Sequence, residues 1–132
     1  MPITAAQKAH AEQMQWAAAR DGAPQVRLVA GPGTGKSHTI EKRVAHLLSN
    51  GATPGNVYVI SFTRATCAEL RARIQNFCST LPCAAAASQV RVSTMHSLAL
   101  RILRRANLLT PYPSTPIILD DWEQTNVYEG EL

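Results

Sequence analysis

The chain has 132 residues, 45% of them hydrophobic and 17% charged; that is an ordinary globular composition, with enough apolar material for one domain's core. No run approaches the ~18 apolar residues that a membrane-spanning helix needs. The opening segment, with Gln7, Lys8, His10 and Glu12 among its alanines, lacks the order of a secretory leader. Cys67, Cys78 and Cys83 form no Cys/His framework and read as reduced thiols of a cytoplasmic protein, and the net charge of +4 leans mildly toward anionic partners.

Residues 5–20 suit an Ala-rich helix with Met14, Trp16 and Ala17 turned inward, stopped by Asp21-Gly22. A short apolar strand, Val26 to Ala30, runs into a glycine-rich loop. Ile40, Val44, Leu47 and Leu48 then recur at helical spacing until Asn50-Gly51. Pro54-Gly55 turns the chain into a second unit. There Val57 to Phe62 reads as a strand buried on both faces, followed by a helix carrying Cys67, Leu70, Ile74 and Phe77. Residues 79–89 read as a loop. Val90, Val92 and Met95 suggest a third strand, and Leu98, Ile102 and Leu103 a third helix, broken by Pro111, Pro113 and Pro116. Pro116 to Asp120 suits a fourth strand. Successive strand-then-helix units predict an α/β domain with a mainly parallel sheet.

The sharpest feature is Ala30-Gly31-Pro32-Gly33-Thr34-Gly35-Lys36-Ser37. Glycines let backbone wrap closely round a phosphate with successive N–H groups turned inward, and the partial positive charge of the next helix's N-terminus faces the same anion. Lys36 suits the β and γ oxygens of a nucleotide, and the Ser37 hydroxyl suits Mg²⁺. The usual pattern opens with Gly, where this chain has Ala30.

Two further blocks extend the likeness. Ser61-Phe62-Thr63-Arg64-Ala65-Thr66-Cys67-Ala68-Glu69-Leu70 is similar to a TFTNKAA-x-EM pattern, and Ser93-Thr94-Met95-His96-Ser97-Leu98 to a TFHSL pattern. With the loop, these blocks resemble, in the right order, the first three motifs of the UvrD/Rep-like branch of superfamily 1 DNA helicases. The resemblance implies a RecA-like P-loop NTPase fold in three layers, incomplete here, over a single domain at 1–132. It also implies ATP and Mg²⁺ as ligands and single-stranded DNA as partner, with ATP-driven translocation and unwinding as the parent activity.

Site residues follow from the same resemblance. Gln15 stands where the family keeps a glutamine that reads adenine, and an amide that both donates and accepts suits that edge; Gln13 is its rival. His38 occupies the position of a family arginine that approaches the nucleotide. Phe62 and Thr63 match positions lining the DNA track, where an aromatic face stacks on any base. Arg64 replaces the family's asparagine and adds charge at that edge. Thr94 and His96 match DNA-contacting positions of the third block. Arg101, Arg104 and Arg105 form a basic cluster, read equally as a solvated helix face or a phosphate track.

A motor also needs an acidic pair for Mg²⁺ and arginines from a second domain. Ile117-Ile118-Leu119-Asp120-Asp121-Trp122-Glu123-Gln124 resembles the ILD-x-x-DQ run with which the family enters an inserted helical subdomain, so 111–132 is expected to begin that insert. The acidic DE-x-Q block and the second motor domain are then expected to be missing, leaving an ATP-binding module that does not unwind DNA alone. Two alternatives stand beside it: a small P-loop ATPase or nucleotide kinase using Asp120 or Asp121, and an inert remnant that self-associates.

Overall fold

Thr4 starts the first helix through a reciprocal cap. Its hydroxyl accepts the Gln7 N–H at 3.2 Å, and the Gln7 side-chain oxygen accepts the Thr4 N–H at 2.9 Å. In the computed structural model, which describes residues 2–33 and 35–112, this opens α1 (Ala5–Arg20). Alanines on every side leave α1 without a broad apolar face. Only Ala19 is buried, Met14 and Ala17 stand exposed against expectation, and Trp16 is half-buried against Phe77, ring centroids 6.3 Å apart.

The chain divides into two units, Met1–Thr94 and Met95–Leu132. In the first, α2 (Lys36–Ser49) follows the glycine loop and ends where Gly51 takes φ +88°. The N–H groups of Gly51 and Ala52 return to the Leu48 and Leu47 carbonyls at 3.2 and 3.0 Å. A single 3₁₀ turn, Pro54–Asn56, leads to β1 (Tyr58–Ser61). Then come α3 (Arg64–Cys78), a one-turn α4 (Ala84–Ala87) and β2 (Arg91–Thr94). The two strands pair in parallel, Tyr58 opposite Arg91 and Ser61 opposite Thr94, so both strands end at the same level.

The core lies between α2, α3 and this ribbon. Val44, Ala45 and Leu48 meet the α3 stripe Cys67, Leu70, Ile74 and Cys78, with Val59, Val90 and Val92 beneath. Both helical stripes were legible as 3.6-residue periodicity. Ile74 is 1% exposed, and trimming such a side chain to alanine costs about 2–5 kcal/mol.

The fold is α/β, but its described sheet has two strands, fewer than expected. Val26–Ala30 forms no strand, and Val26, Leu28 and Val29 are 45%, 49% and 83% exposed. A groove of about 370 Å³ is lined by Val26 and Leu28, by Ile40, Val44 and Leu47 of α2, and by Val57–Ile60. With that space beside it, the segment pairs with no strand edge among the described residues, and a strand without a ladder partner is not a strand. The expected Val57–Phe62 strand is shorter and buried on one face only: Val59 faces the core while Tyr58 and Ile60 stay open. Residues 84–87 form a helical turn, not a loop, and Met95 belongs to a helix.

In the second unit, α5 (Met95–Arg105) closes with Asn107 at φ +57°, and the Leu108 N–H returns to the Leu103 carbonyl at 3.0 Å. Arg104 and Arg105 sit in its last turn, where cations complement the helix dipole. The expected fourth strand at Pro116–Asp120, and Asp121 after it, lie outside the described residues.

Candidate nucleotide-binding site

The loop turns on two glycines in the left-handed region, Gly33 at φ +71° and Gly35 at φ +85°. Gly35 also serves as the N-cap of α2, and no side chain caps that helix. Helix geometry leaves the first-turn amides, those of Lys36, Ser37 and His38, without intrahelical acceptors. An anion at the mouth of the loop would meet these amides and the positive end of α2 together. A Cβ on Gly35 would stand 2.4 Å from Gln15 Nε2 and 3.7 Å from His38 Cδ2. The last glycine is therefore flanked by the side chains of Gln15 and His38, two of the residues expected here. Ala30 is half-buried, Gly31, Pro32 and Gly33 are exposed, and Thr34 lies outside the described residues.

Lys36, the first residue of α2, is exposed, and Ser37 beside it is half-buried. They stand one and two residues beyond Gly35. Among the described residues no three His, Cys, Asp or Glu side chains converge as a metal group. The Ser37 hydroxyl with phosphate oxygens is the donor set that this part of the chain offers Mg²⁺.

Behind the loop lies a charged cluster that no motif in the sequence marks. Glu41, 5% exposed, takes Arg73 Nε at 2.5 Å on one oxygen and His38 Nδ1 at 3.3 Å on the other. Arg73 Nη1 also lies 3.5 Å from Glu69, and Arg73 Nη2 is 3.4 Å from His38 Nε2. Because guanidinium only donates and carboxylate only accepts, the consistent tautomer has His38 donating from Nδ1 to Glu41 and accepting at Nε2. The hydrogen bond to Glu41 raises the Arg73 pKa above its ordinary value. His38 thus joins the last glycine of the loop to an ion pair between α2 and α3.

Gln15 is half-buried and its Oε1 accepts from Lys42 Nζ at 2.7 Å. Arg43 Nη1 donates to the Ala19 and Asp21 carbonyls, satisfying the end of α1. Glu41, Lys42 and Arg43 are consecutive charges after the loop. Helical spacing is the signal in the sequence: Glu41 stands three and four residues before the buried Val44 and Ala45, and Lys42 three before Ala45, on the covered side of α2.

The strand ends present the other expected set. Phe62 follows β1 and is 81% exposed, so it does not finish a buried strand. The Thr63 hydroxyl caps α3, accepting the Thr66 N–H at 3.1 Å and sharing a 2.7 Å bond with the Thr66 hydroxyl. Arg64, exposed at the first position of α3, puts a cation where the helix dipole favours an anion. Thr94 ends β2, half-buried. In the second unit His96 is exposed in the first turn of α5, and Arg101 is half-buried.

Residues 11–130 match the UvrD/REP helicase N-terminal domain. The chain belongs to that family. Among curated relatives, it is 31% identical over 106 residues to the ATP-dependent DNA helicase PcrA of Bacillus subtilis (strain 168), covering 80% of this chain and 14% of the helicase. It is 33% and 32% identical to the PcrA helicases of Staphylococcus epidermidis and Staphylococcus aureus, with the same coverage. The chain thus spans about one seventh of the length of the UvrD/REP relatives it matches. No described helix is long and apolar enough to cross a membrane.

Proposed function

We propose that this UvrD/REP chain is an ATP-binding module derived from a DNA helicase, holding a nucleotide pocket and part of a single-stranded DNA track. The observation that carries the reading is the turn at Gly35: a left-handed glycine that caps α2, leaves its first amides open, and is flanked by Gln15 and His38. In this reading Lys36 neutralises the β and γ oxygens, the loop backbone from Ala30 to Gly35 cradles them, Ser37 ligates Mg²⁺, and Gln15 reads adenine. The metal, when bound, would neutralise phosphate charge. His38, anchored by Glu41, borders the pocket in place of an arginine.

Phe62 supplies the stacking face for DNA bases, with Thr63, Arg64 and Thr94 as the polar and cationic edge of the first unit, and His96 of the second unit is taken as a DNA contact on the family resemblance alone. Hydrolysis coupled to unwinding needs an acidic metal ligand and a second motor domain besides the residues named here, so these residues are assigned binding and not turnover. Asp120 and Asp121, which a self-sufficient small P-loop enzyme would use, lie outside the described residues. Phosphate release from MgATP, measured with and without single-stranded DNA, tests the reading. It predicts nucleotide binding with negligible release under both conditions; brisk DNA-stimulated release would show that Asp120 and Asp121 complete a site.

A further inference from the structure

Lys42 is a lysine with 6% of its surface exposed, and a buried ammonium needs a partner. Its partner is Gln15 Oε1 at 2.7 Å, with the Trp16 ring 5.7 Å away. Lys42 stands seven residues, about two turns, after Gly35 on the same side of α2. Helix side chains lean toward the N-terminus, so Lys42 reaches back toward the loop. Gln15, contributed by α1, therefore lies along α2 between Lys42 below and Gly35 above.

This arrangement settles which end of the amide is which. An ammonium group has only donors, so the atom facing it must be the carbonyl oxygen, and the NH₂ group must face the loop. That matches Nε2 lying 2.4 Å from where a Gly35 Cβ would be. Adenine offers one acceptor and one donor on its outer edge, whereas guanine offers two acceptors there. An amide fixed one way round matches adenine in a single pose, and the carbonyl keeps a second lone pair for the adenine amino group.

We propose that Lys42 is the positioning residue that locks the Gln15 carboxamide, NH₂ toward the loop, and so sets the preference for adenine over guanine nucleotides. The assignment rests on the reading of this loop as a nucleotide site. Lys42 touches no nucleotide itself and acts through Gln15.

The test compares MgATP and MgGTP affinities of the full chain as wild type, Lys42→Met, Lys42→Arg, Gln15→Ala and Lys42→Met/Gln15→Ala. Methionine keeps the buried stem without the charge. The ATP:GTP preference should fall about tenfold in Lys42→Met, the order expected for a charge-assisted hydrogen bond. GTP affinity should barely change, the double variant should be no worse than Gln15→Ala, and Lys42→Arg should restore much of the preference. Independently of nucleotide, the NMR contact between the Gln15 NH₂ protons and the Gly35 α-protons should be present in wild type and lost in Lys42→Met. Persistence of that contact in Lys42→Met, or an unchanged preference there alongside a lost one in Gln15→Ala, overturns the positioning role. A wild type that binds no nucleotide, or a Gln15→Ala that discriminates like wild type, overturns the adenine-reading role instead, while the NMR contact still decides whether Lys42 orients Gln15.

Discussion

The guanidinium of Arg73, on α3, closes on the buried carboxylate of Glu41, on α2, with Nε and Oε1 2.5 Å apart. The Glu41 side chain is 7% exposed and the Arg73 side chain 31%, so one partner of the pair has left water and the other has not. Removing Arg73 would leave Glu41 buried beside His38 alone. Arg73→Met should destabilise the fold by about 1–3 kcal/mol, below the full value for a wholly buried pair because Arg73 keeps some solvent. Glu41→Gln/Arg73→Met should recover most of that loss. Urea unfolding of the three proteins measures both.

Gly35 carries two separable constraints. Gly35→Ala meets backbone strain at φ +85°, worth about 1–2 kcal/mol, and also a contact with Gln15 Nε2. Adding Gln15→Ala should relieve the contact and leave the strain. The single variant should therefore lose both stability and MgATP affinity, and the double variant should regain only part of the stability. Thermal unfolding and titration of each variant check this.

Phe62 offers a variant that separates DNA binding from folding. At 81% exposure its ring supports little of the core, so Phe62→Ala should change stability by less than about 0.5 kcal/mol. If its face stacks on a base, affinity for single-stranded DNA should fall by roughly 1–3 kcal/mol. Fluorescence anisotropy with a short oligonucleotide, beside urea unfolding, reads both effects.

Cys78 sets an alkaline limit. Burial first, and the hydrogen bond with Cys83 second, push its thiol from 9.0 up to about 12. Below pH 9 the thiol is protonated in folded and unfolded chains alike, and stability does not depend on it. Above pH 9 the unfolded chain loses the proton while the folded one keeps it, so stability falls as pH rises toward 12. The urea midpoint should decline over that window in wild type, and less steeply in Cys78→Ala.

Much of this was legible in the chain because it depends on local chemistry. The Gly-rich loop, the helix boundaries at Gly35 and Gly51 and the stripe Cys67, Leu70, Ile74 all follow from residue type and spacing. What was not legible depends on neighbours. Val26–Ala30 has the composition of a buried strand, yet a strand exists only where another edge completes its ladder. Nothing in the residue types of Glu41, Lys42 and Arg43 says that Arg73, Gln15 and the end of α1 come down on them. The place of Gln15 before the loop is visible in the sequence; its partner Lys42 depends on the packing of α1 on α2.

Direct titration of MgATP into wild type and Lys36→Ala tests the central claim most simply. Lys36 is exposed at the start of α2, so its loss should leave the fold intact. The account predicts micromolar binding to wild type and a loss of roughly a hundredfold or more in the variant, as expected when a charged phosphate ligand is removed. Equal affinities, or no binding by either protein, would contradict it, leaving a helicase fold without its nucleotide chemistry.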